Sequence, residues 1–166
     1  MTLNVAANYN EARQFDRAIE ILKKLAADNP DFAASRVNLF YSYRGAGLYP
    51  EAIEELKAFA RLTGDKSDAQ LVSALEDGFH SGGWKAAMLR AAQVGEGQRK
   101  SGYFSPTDIA EFYASAGDKN RAFEWLATAY KERDKNLLSI RFDFPIDPLR
   151  SDPRYAELVR KMNFPK

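Results

Sequence analysis

Two stretches of the sequence decide the fold: residues 15–26, FDRAIEILKKLA, and residues 49–60, YPEAIEELKAFA. They lie 34 positions apart, and each carries an aromatic residue, the letters AIE and a leucine four positions after the alanine. Their apolar residues recur at intervals of three and four, which places them on one face of a helix. Because the pattern returns at a fixed interval, we expect stacked structural repeats.

The same unit occurs twice more along the chain. Residues 119–130, KNRAFEWLATAY, place Ala122 in the alanine position, and residues 84–94, WKAAMLRAAQV, fit with Ala87 there. Each unit is predicted to form two antiparallel helices, and the first helices are expected at residues 3–11, 32–45, 68–79 and 106–116. Glycine readily takes the left-handed conformation that helix ends require, so it is expected in the turns. The expected turn residues are Gly47, Gly82 and Gly117, with Arg13 in that place in the first unit.

This unit resembles the tetratricopeptide repeat, a 34-residue helix pair with a tyrosine in its first helix, a small alanine, a large apolar residue and a closing proline. The matching residues are Tyr9, Ala18, Leu22, Leu25 and Pro30 in the first unit, Tyr43, Gly47, Ala52, Leu56 and Phe59 in the second, and Tyr113, Gly117, Ala122 and Leu126 in the fourth. The third unit departs from the pattern because Gly78 replaces the tyrosine.

A second resemblance covers residues 105–165. This stretch is similar to the C-terminal end of repeat regions in bacterial winged-helix transcriptional regulators, adenylate cyclases and serine/threonine kinases. In those proteins the repeats form a sensory or protein-binding half, and the catalytic or DNA-binding half lies upstream. The resemblance therefore implies the regulatory segment of a larger bacterial signalling protein.

The predicted fold is all-α: antiparallel helical hairpins stacked as a right-handed α-solenoid of about four repeats, with a C-terminal capping helix. The repeats are expected at residues 1–31, 32–65, 66–101 and 102–134. Residues 135–166 are expected to form an extended connector and the capping helix, which covers the apolar face that the last repeat exposes. Ser67, Ser105 and Asp118 stand where helix N-caps belong.

The C-terminal stretch DFPIDPLRSDPRY, residues 143–155, has both a reactive and a structural interpretation. Asp143, Asp147 and Asp152 would serve an enzyme only if two of them faced a cleft with different pKa values. Structurally, Asp152 before a proline is an N-cap. The prolines are expected to prohibit helix just before it. Tyr155, Leu158, Val159 and Met162 then form the apolar stripe of a short amphipathic helix. Closure of the repeat stack is favoured over catalysis.

Composition argues against several classes of function. Lysine and arginine number 24 and aspartate and glutamate 23, so no basic field attracts nucleic acid. The absence of cysteine excludes thiol catalysis and cysteine-ligated metal, and a single histidine, His80, is too few for a zinc site. No stretch approaches 18 consecutive apolar residues, and no leader pattern begins the chain. We therefore expect a cytoplasmic protein without metal, cofactor, nucleic-acid or membrane contact.

A binding groove is the remaining candidate site. In repeat arrays of this kind the first helices line a concave surface. The residues expected to face a peptide or protein partner there are Asn10, Val37, Tyr41, Arg44, Glu76, Phe79 and Glu111. Tyr41 beside Arg44 suits peptide or carboxylate recognition. Asn4 and Asn38 occupy matched positions and are interpreted as hydrogen bonders between repeats.

The sequence favours a noncatalytic protein-interaction or sensory module. Its partner would be a peptide in the groove or a second copy docked on the exposed first helix, which leaves a homodimer through the N-terminal repeat open. Two alternatives remain. One is a small-molecule sensor with an aromatic pocket near Phe79, Trp84 and Trp125, and the other is an enzyme that uses residues 143–152.

Overall fold

The structure, a computed structural model, describes residues 2–164; Met1, Pro165 and Lys166, the ends of the predicted first repeat and C-terminal segment, lie outside the described residues. Across residues 2–164 the chain forms eight α-helices, two short 3₁₀ helices and no β-strand. The helices are α1 Leu3–Glu11, α2 Phe15–Asp28, α3 Ala33–Gly45, α4 Tyr49–Thr63, α5 Lys66–Gln98, α6 Pro106–Ala116, α7 Lys119–Glu132 and α8 Pro153–Met162. The 3₁₀ helices Lys135–Ser139 and Phe144–Leu149 lie between α7 and α8. The predicted all-α repeat fold with a C-terminal helix is confirmed.

The chain divides into two compact units, and the division falls between Glu76 and Asp77. In the first unit α1 packs against α2 and α3 packs against α4, while α3 also contacts α1 and α2. In the second unit α6 and α7 form a hairpin. The two helices of each of these pairs therefore pack against each other, as the repeat pattern predicts. The limits proposed for the four repeats stay a prediction.

The repeat-matched alanines lie in the cores of these hairpins. All four have no exposed surface: Ala18, Ala52, Ala87 and Ala122. A methyl side chain lets two helix backbones approach closely, so the position selects a small residue. The residues four positions later, on the same helix face, are buried as well: Leu22, Leu56, Ala91 and Leu126. The third unit is thus built like the others, with alanine in the leucine position.

The turns within the hairpins lie at the expected places. Gly47 and Gly117 have φ angles of 77° and 91°, and Arg13 takes the same left-handed conformation with φ of 60°. In the third unit Gly83, with φ of 68°, is the left-handed residue, whereas Gly82 is extended with φ of −163°. The prediction for that turn was therefore wrong by one residue. The two glycines divide α5 into two arms, one before Gly82 and one after Gly83.

Two of the predicted N-cap residues, Ser105 and Asp118, cap their helices, and a third, Ser67, does not. The Ser105 hydroxyl accepts a hydrogen bond from the Asp108 N–H at 3.2 Å, and the Asp118 carboxylate accepts one from the Arg121 N–H at 3.0 Å. Ser67 was wrongly predicted to cap α5. Asp65 takes that role because its carboxylate accepts both the N–H and the hydroxyl of Ser67, at 2.8 and 2.7 Å.

The segment after α7 is compact, so the prediction of an extended connector from residue 135 was wrong. The first 3₁₀ helix begins when the Leu137 N–H donates to the Asp134 carbonyl at 3.1 Å. Leu137 and Ile140 lie three positions apart and are both buried. A 3₁₀ helix has three residues per turn and places both side chains on the same side, whereas an extended strand would point them to opposite sides. Burial of both residues therefore favours the helical form.

The prolines of the second 3₁₀ helix do not prevent it, contrary to expectation. Pro145 stands in its first turn, where no backbone N–H is required, and Pro148 removes a single donor from a helix of six residues. Ile146 and Leu149, again three positions apart, have no exposed surface. This 3₁₀ helix packs against α6. It therefore covers part of the last hairpin.

The C-terminal helix α8 begins as predicted, since the Asp152 carboxylate accepts a hydrogen bond from the Arg154 N–H at 3.0 Å. It rests on α7, where the Tyr130 hydroxyl donates to the Lys161 carbonyl at 3.3 Å. Of its predicted apolar stripe, Leu158 is buried and the other members are half-buried: Tyr155, Val159 and Met162. The cap on the last hairpin therefore consists of α8 together with the two 3₁₀ helices.

Candidate functional site

Three of the predicted groove residues are partly exposed on the first helices of the first unit. Val37 and Tyr41 lie four positions apart on α3, so they share one helix face. Asn10 lies on α1, and its side-chain oxygen accepts a hydrogen bond from the Ser42 hydroxyl at 3.0 Å. This bond joins the first helices of two successive repeats and places Asn10 next to the residue that follows Tyr41. We call Asn10, Val37 and Tyr41 the first-helix surface.

The hydrogen bond between repeats was predicted for the wrong asparagines. The amide group of Asn38 donates to the Ala34 carbonyl of its own helix at 2.8 Å, and Asn4 is exposed on α1. Ser42, which the sequence analysis missed, supplies the contact with Asn10 instead. The single hydroxyl hydrogen of Ser42 is shared between Asn10 and the Asn38 carbonyl, which lies 2.9 Å from the hydroxyl oxygen; the bond to that carbonyl is common for serine inside a helix. No periodic signal in the sequence distinguishes this serine.

Two predicted groove residues are buried rather than accessible. Arg44 is 4% exposed in the first unit and Glu111 is 6% exposed in the second. Charged side chains are rarely buried to this extent, so sequence patterns assign them to solvent by default. A partner cannot reach either side chain directly, and both belong to the packed interior of their units. This burial corrects the expectation that Tyr41 and Arg44 act as a pair.

Glu76 and Phe79 complete the predicted set. The Glu76 carboxylate forms an ion pair with the Lys57 ammonium group of α4 at 2.5 Å, within the first unit. Hydrogen bonds from the Glu76 and Glu54 carboxylates raise the pKa of Lys57. Phe79 is half-buried and belongs to the second unit. Glu76 therefore orders α4 against α5, and its role toward a partner stays a prediction.

The three C-terminal aspartates have structural partners. Asp143 accepts a hydrogen bond from the Ser139 hydroxyl at 2.7 Å, and Asp147 pairs with the Arg150 guanidinium at 2.6 Å. Hydrogen bonds from Arg154 lower the pKa of Asp152 to about 2. A general acid needs a pKa raised toward neutrality, the opposite direction. These contacts favour the closing role of residues 143–152 over the enzymatic alternative.

Trp125 of the proposed aromatic pocket is engaged within the second unit. Its indole N–H donates to a Glu96 carboxylate oxygen at 2.9 Å, and the Tyr113 hydroxyl donates to the same oxygen at 2.8 Å. Arg121 also binds this carboxylate. Burial raises the pKa of Glu96, but these hydrogen bonds and the charge of Arg121 prevail and hold it below its ordinary value. Glu96, which the sequence analysis missed, thus joins α5, α6 and α7.

A second carboxylate, Asp134, organises the start of the cap. It is 7% exposed, and one oxygen accepts hydrogen bonds from the Ser105 hydroxyl at 2.6 Å and the Thr107 N–H at 3.1 Å. The other oxygen accepts from the Tyr103 hydroxyl at 3.0 Å and the Asn136 N–H at 3.2 Å. Burial raises the pKa of Asp134, but these hydrogen bonds outweigh it and lower the pKa. Asp134 therefore joins the N-terminus of α6 to the first 3₁₀ helix.

We expect Asp134→Asn to lower the free energy of unfolding at pH 7 by roughly 2 kcal/mol. The NH₂ group of asparagine would replace one carboxylate oxygen, and it cannot accept the two hydrogen bonds that this oxygen receives. A lowered pKa in the folded state stabilises the fold above the ordinary aspartate pKa, and that stabilisation is lost as the pH falls through the folded pKa. The difference between wild type and variant in urea unfolding should therefore shrink below about pH 4. A difference that stays constant down to pH 3 would contradict this role of the ionised carboxylate.

Among residues 2–164, no group of three or more histidine, aspartate or glutamate side chains is arranged to hold a metal ion. In the same part of the chain, each helix is either too short or too polar to cross a membrane.

Comparison with known proteins agrees with the geometry of the first unit. The family model for the tetratricopeptide repeat matches residues 9–75, from the tyrosine of α1 to the first arm of α5. No curated protein and no solved structure gives a significant match. The matched segment contains the helix pair α3–α4, the buried alanines Ala18 and Ala52 and the left-handed turns at Arg13 and Gly47. Residues 9–75 therefore belong to the tetratricopeptide repeat family.

Proposed function

We propose that the chain is a noncatalytic protein-binding module whose first-helix surface holds a peptide segment of a partner. Tetratricopeptide repeats generally mediate protein–protein interaction. The observation that carries the proposal is the joint placement of Asn10, Val37 and Tyr41 on first helices, where all three are partly exposed. An aromatic and an aliphatic side chain on one helix face can bury apolar groups of a peptide. The Asn10 oxygen is used by Ser42, which leaves its amide nitrogen to donate to a peptide carbonyl.

The proposal predicts that Tyr41→Ala weakens peptide binding at least tenfold, since aromatic anchors dominate interface energies. Peptides would be selected from a displayed library on the wild-type protein, and their affinities measured by fluorescence anisotropy. Lys23→Ala, at an exposed position of α2 in the same unit, is the matched control and should leave the affinity unchanged. Arg44 is a poor test because it is buried, so its replacement would report on folding.

Equal affinity of wild type, Tyr41→Ala and Val37→Ala for every selected peptide would remove the first-helix surface from the proposal. Circular dichroism of each variant separates loss of binding from loss of fold. If no two of the selected peptides compete with each other for the protein, they do not bind one shared groove, and this result would also count against the proposal.

The regulatory setting is a further part of this proposal. The resemblance of residues 105–165 to repeat regions of bacterial regulators, adenylate cyclases and kinases supports a sensory segment of a cytoplasmic signalling or transcription-regulating protein. An endogenous protein no larger than this chain, detected with an antibody, would argue against attachment to an effector domain.

A second copy of the chain is the alternative partner. Val5 of α1 is 38% exposed and offers an apolar contact on the N-terminal helix. Sedimentation equilibrium of wild type and Val5→Glu decides this alternative, because a homodimer through α1 should dissociate in the variant. A monomer at all concentrations would exclude it.

A further inference from the structure

The C-terminal ends of α5 and α7 lie side by side in the second unit. The Arg99 guanidinium, just after α5, donates to the two Glu132 carboxylate oxygens at 2.6 and 2.8 Å. The Tyr103 hydroxyl donates to the Asp134 carboxylate at 3.0 Å. These contacts hold the segment that follows α5 next to the end of α7, so the charges of the two segments act on one surface.

This surface carries an excess of positive charge. Residues 99–103 and 131–135 contain five cations and two anions, in a chain whose net charge is only +1. Both anions already accept hydrogen bonds from the chain. Asp108 approaches the same segments, because the Asn136 amide donates to its carboxylate at 3.0 Å. With this third anion, five cations still face three anions.

Four of these five cations have no partner among residues 2–164. They form neither an ion pair nor a side-chain hydrogen bond there, and all are exposed: Lys100, Lys131, Arg133 and Lys135. We call these four side chains the basic patch. The dipole of a helix favours cations near its C-terminus, which accounts for their sign but uses none of their hydrogen-bond donors. These donors are therefore available to carboxylates of a partner.

Arg133 stands at a backbone position that favours glycine. It ends α7 in the left-handed conformation with φ of 56°, whereas α4 and α6 end in that conformation with Gly64 and Gly117. A residue with a Cβ atom is less stable there than glycine. The helix end therefore gives no reason for an arginine, whereas recognition of an anion does.

Two large side chains beside the basic patch can bury apolar surface of a partner. Tyr103 is 70% exposed, although its hydroxyl is held by Asp134, and Leu138 is 67% exposed. Leu138 lies three positions after Lys135 in the first 3₁₀ helix, so the two side chains share one side of that helix. A segment that binds the cations can therefore also cover an apolar side chain.

These features fit an acidic protein segment better than a nucleic acid. The carboxylates of a peptide can each reach a separate cation through a charge-assisted hydrogen bond, while an apolar residue between them covers Tyr103 or Leu138. A nucleic-acid backbone is instead followed by a continuous positively charged groove. Glu132 and Asp134 alternate with the cations of residues 131–135 and interrupt such a groove.

We infer that the basic patch is a second protein-binding surface, which takes an acidic segment with one phenylalanine or leucine. The inference rests on the proposed protein-binding function but uses none of the residues of the first-helix surface. It assigns the junction of α7 and the first 3₁₀ helix a role in recognition in addition to closure of the last hairpin.

The test uses the full chain and the acetylated, amidated heptapeptide EEDFDEE, with binding followed by chemical-shift changes in ¹⁵N NMR spectra. Lys135→Glu is expected to weaken binding at least tenfold, since it replaces attraction by repulsion. Lys85→Glu is the matched control, because it changes the net charge equally from an exposed position of α5 in the same unit. It lies near the start of the second arm of α5, about 20 Å along the helix from the patch. Charges at that distance are screened, so the affinity should change less than about twofold.

Arg133→Gly separates binding from folding. It removes a cation at a left-handed position where glycine is favoured, so the variant should stay folded by circular dichroism. Its affinity for EEDFDEE should nevertheless fall about threefold, the effect of one exposed charge pair. The peptides EEDADEE and KKKFKKK should bind the wild type at least about threefold and tenfold more weakly, through loss of the apolar contact and of the charge attraction. Tyr41→Ala should bind EEDFDEE like the wild type.

The outcomes separate this surface from other modes of binding. Equal binding by wild type and Lys135→Glu would overturn the inference, as would absence of EEDFDEE binding at millimolar concentration. Equal weakening by Lys85→Glu and Lys135→Glu would show attraction to the net charge alone, and loss of binding in Tyr41→Ala would assign the peptide to the first-helix surface; both results overturn it. Displacement of EEDFDEE by an equal concentration of a uridine decanucleotide would show a nucleic-acid surface instead.

Failure of the first-helix surface is a separate result. If that surface fails its own test while EEDFDEE binding depends on Arg133 and Lys135, the basic patch stands alone.

Discussion

Truncation of the chain after Asp134 is expected to lower the Tm by at least about 10 °C and to promote association. The removed segment contains Leu137, Ile140, Ile146 and Leu149, which are all buried. Burial of four such side chains contributes roughly 6–12 kcal/mol before the cost of ordering the chain. A loss of even a few kcal/mol shifts the Tm of a protein of this size by that amount. The apolar face that it leaves open on the last hairpin should then drive association.

A shorter truncation, after Ser151, is the matched control. It removes α8, of which Leu158 is buried, and keeps both 3₁₀ helices. We expect its Tm to fall by about 5 °C, since one buried leucine is worth roughly 2 kcal/mol. Thermal unfolding and size-exclusion chromatography measure both effects. If the two truncations behave alike, α8 rather than the 3₁₀ helices closes the repeat stack, and an unchanged soluble monomer after Asp134 would show that no closure is needed.

The second large effect is expected for Gly78→Ala, which should lower the free energy of unfolding by about 3 kcal/mol through overpacking. A Cβ atom at Gly78 would lie 2.5 Å from the Cα atom and 2.7 Å from the nitrogen of Ala87. It would also lie 2.8 Å from the carbonyl oxygen of Ala86. These are backbone atoms of the second arm of α5, which cannot turn aside as a flexible side chain could. The two arms must therefore separate to admit even a methyl group.

Gly97→Ala, in the same helix, is the control, and we expect it to raise the free energy of unfolding rather than lower it. An added Cβ atom there meets no atom within 4 Å, so replacing glycine in a helix should stabilise the protein by roughly 0.5–1 kcal/mol. Urea unfolding followed by circular dichroism gives both values. If Gly78→Ala changed the free energy by less than about 0.5 kcal/mol, the close approach of the two arms would not exist in solution.

Gly78 also explains a departure of the sequence from the repeat pattern. It occupies the position that is tyrosine in the other units: Tyr9, Tyr43 and Tyr113. The sequence alone shows only that a large residue is missing. The structure shows that the backbone of Ala87 occupies the space beside Gly78, so no side chain fits there.

The first-helix surface illustrates the limit of periodic arguments. Tyr41 and Arg44 lie three positions apart on α3 and share a helix face by spacing alone, yet Tyr41 is partly exposed and Arg44 is buried. Which part of a helix face is covered depends on the neighbours that pack against it. Glu111 was assigned to the groove because it lies on a first helix, away from the apolar packing stripe, and its burial could not be read from its own helix.

The sequence by itself determined the repeat period, the helix pairs, most turns and three helix caps, because spacing, glycine placement and capping are properties of neighbouring residues. The tertiary structure alone decided the compact form of residues 135–149, the contact of Asn10 with Ser42, and the anchoring roles of Glu96 and Asp134. Each of these features joins residues that lie on different helices or depends on how completely one element covers another. Such contacts depend on how the helices pack, which a single pattern along the chain does not encode.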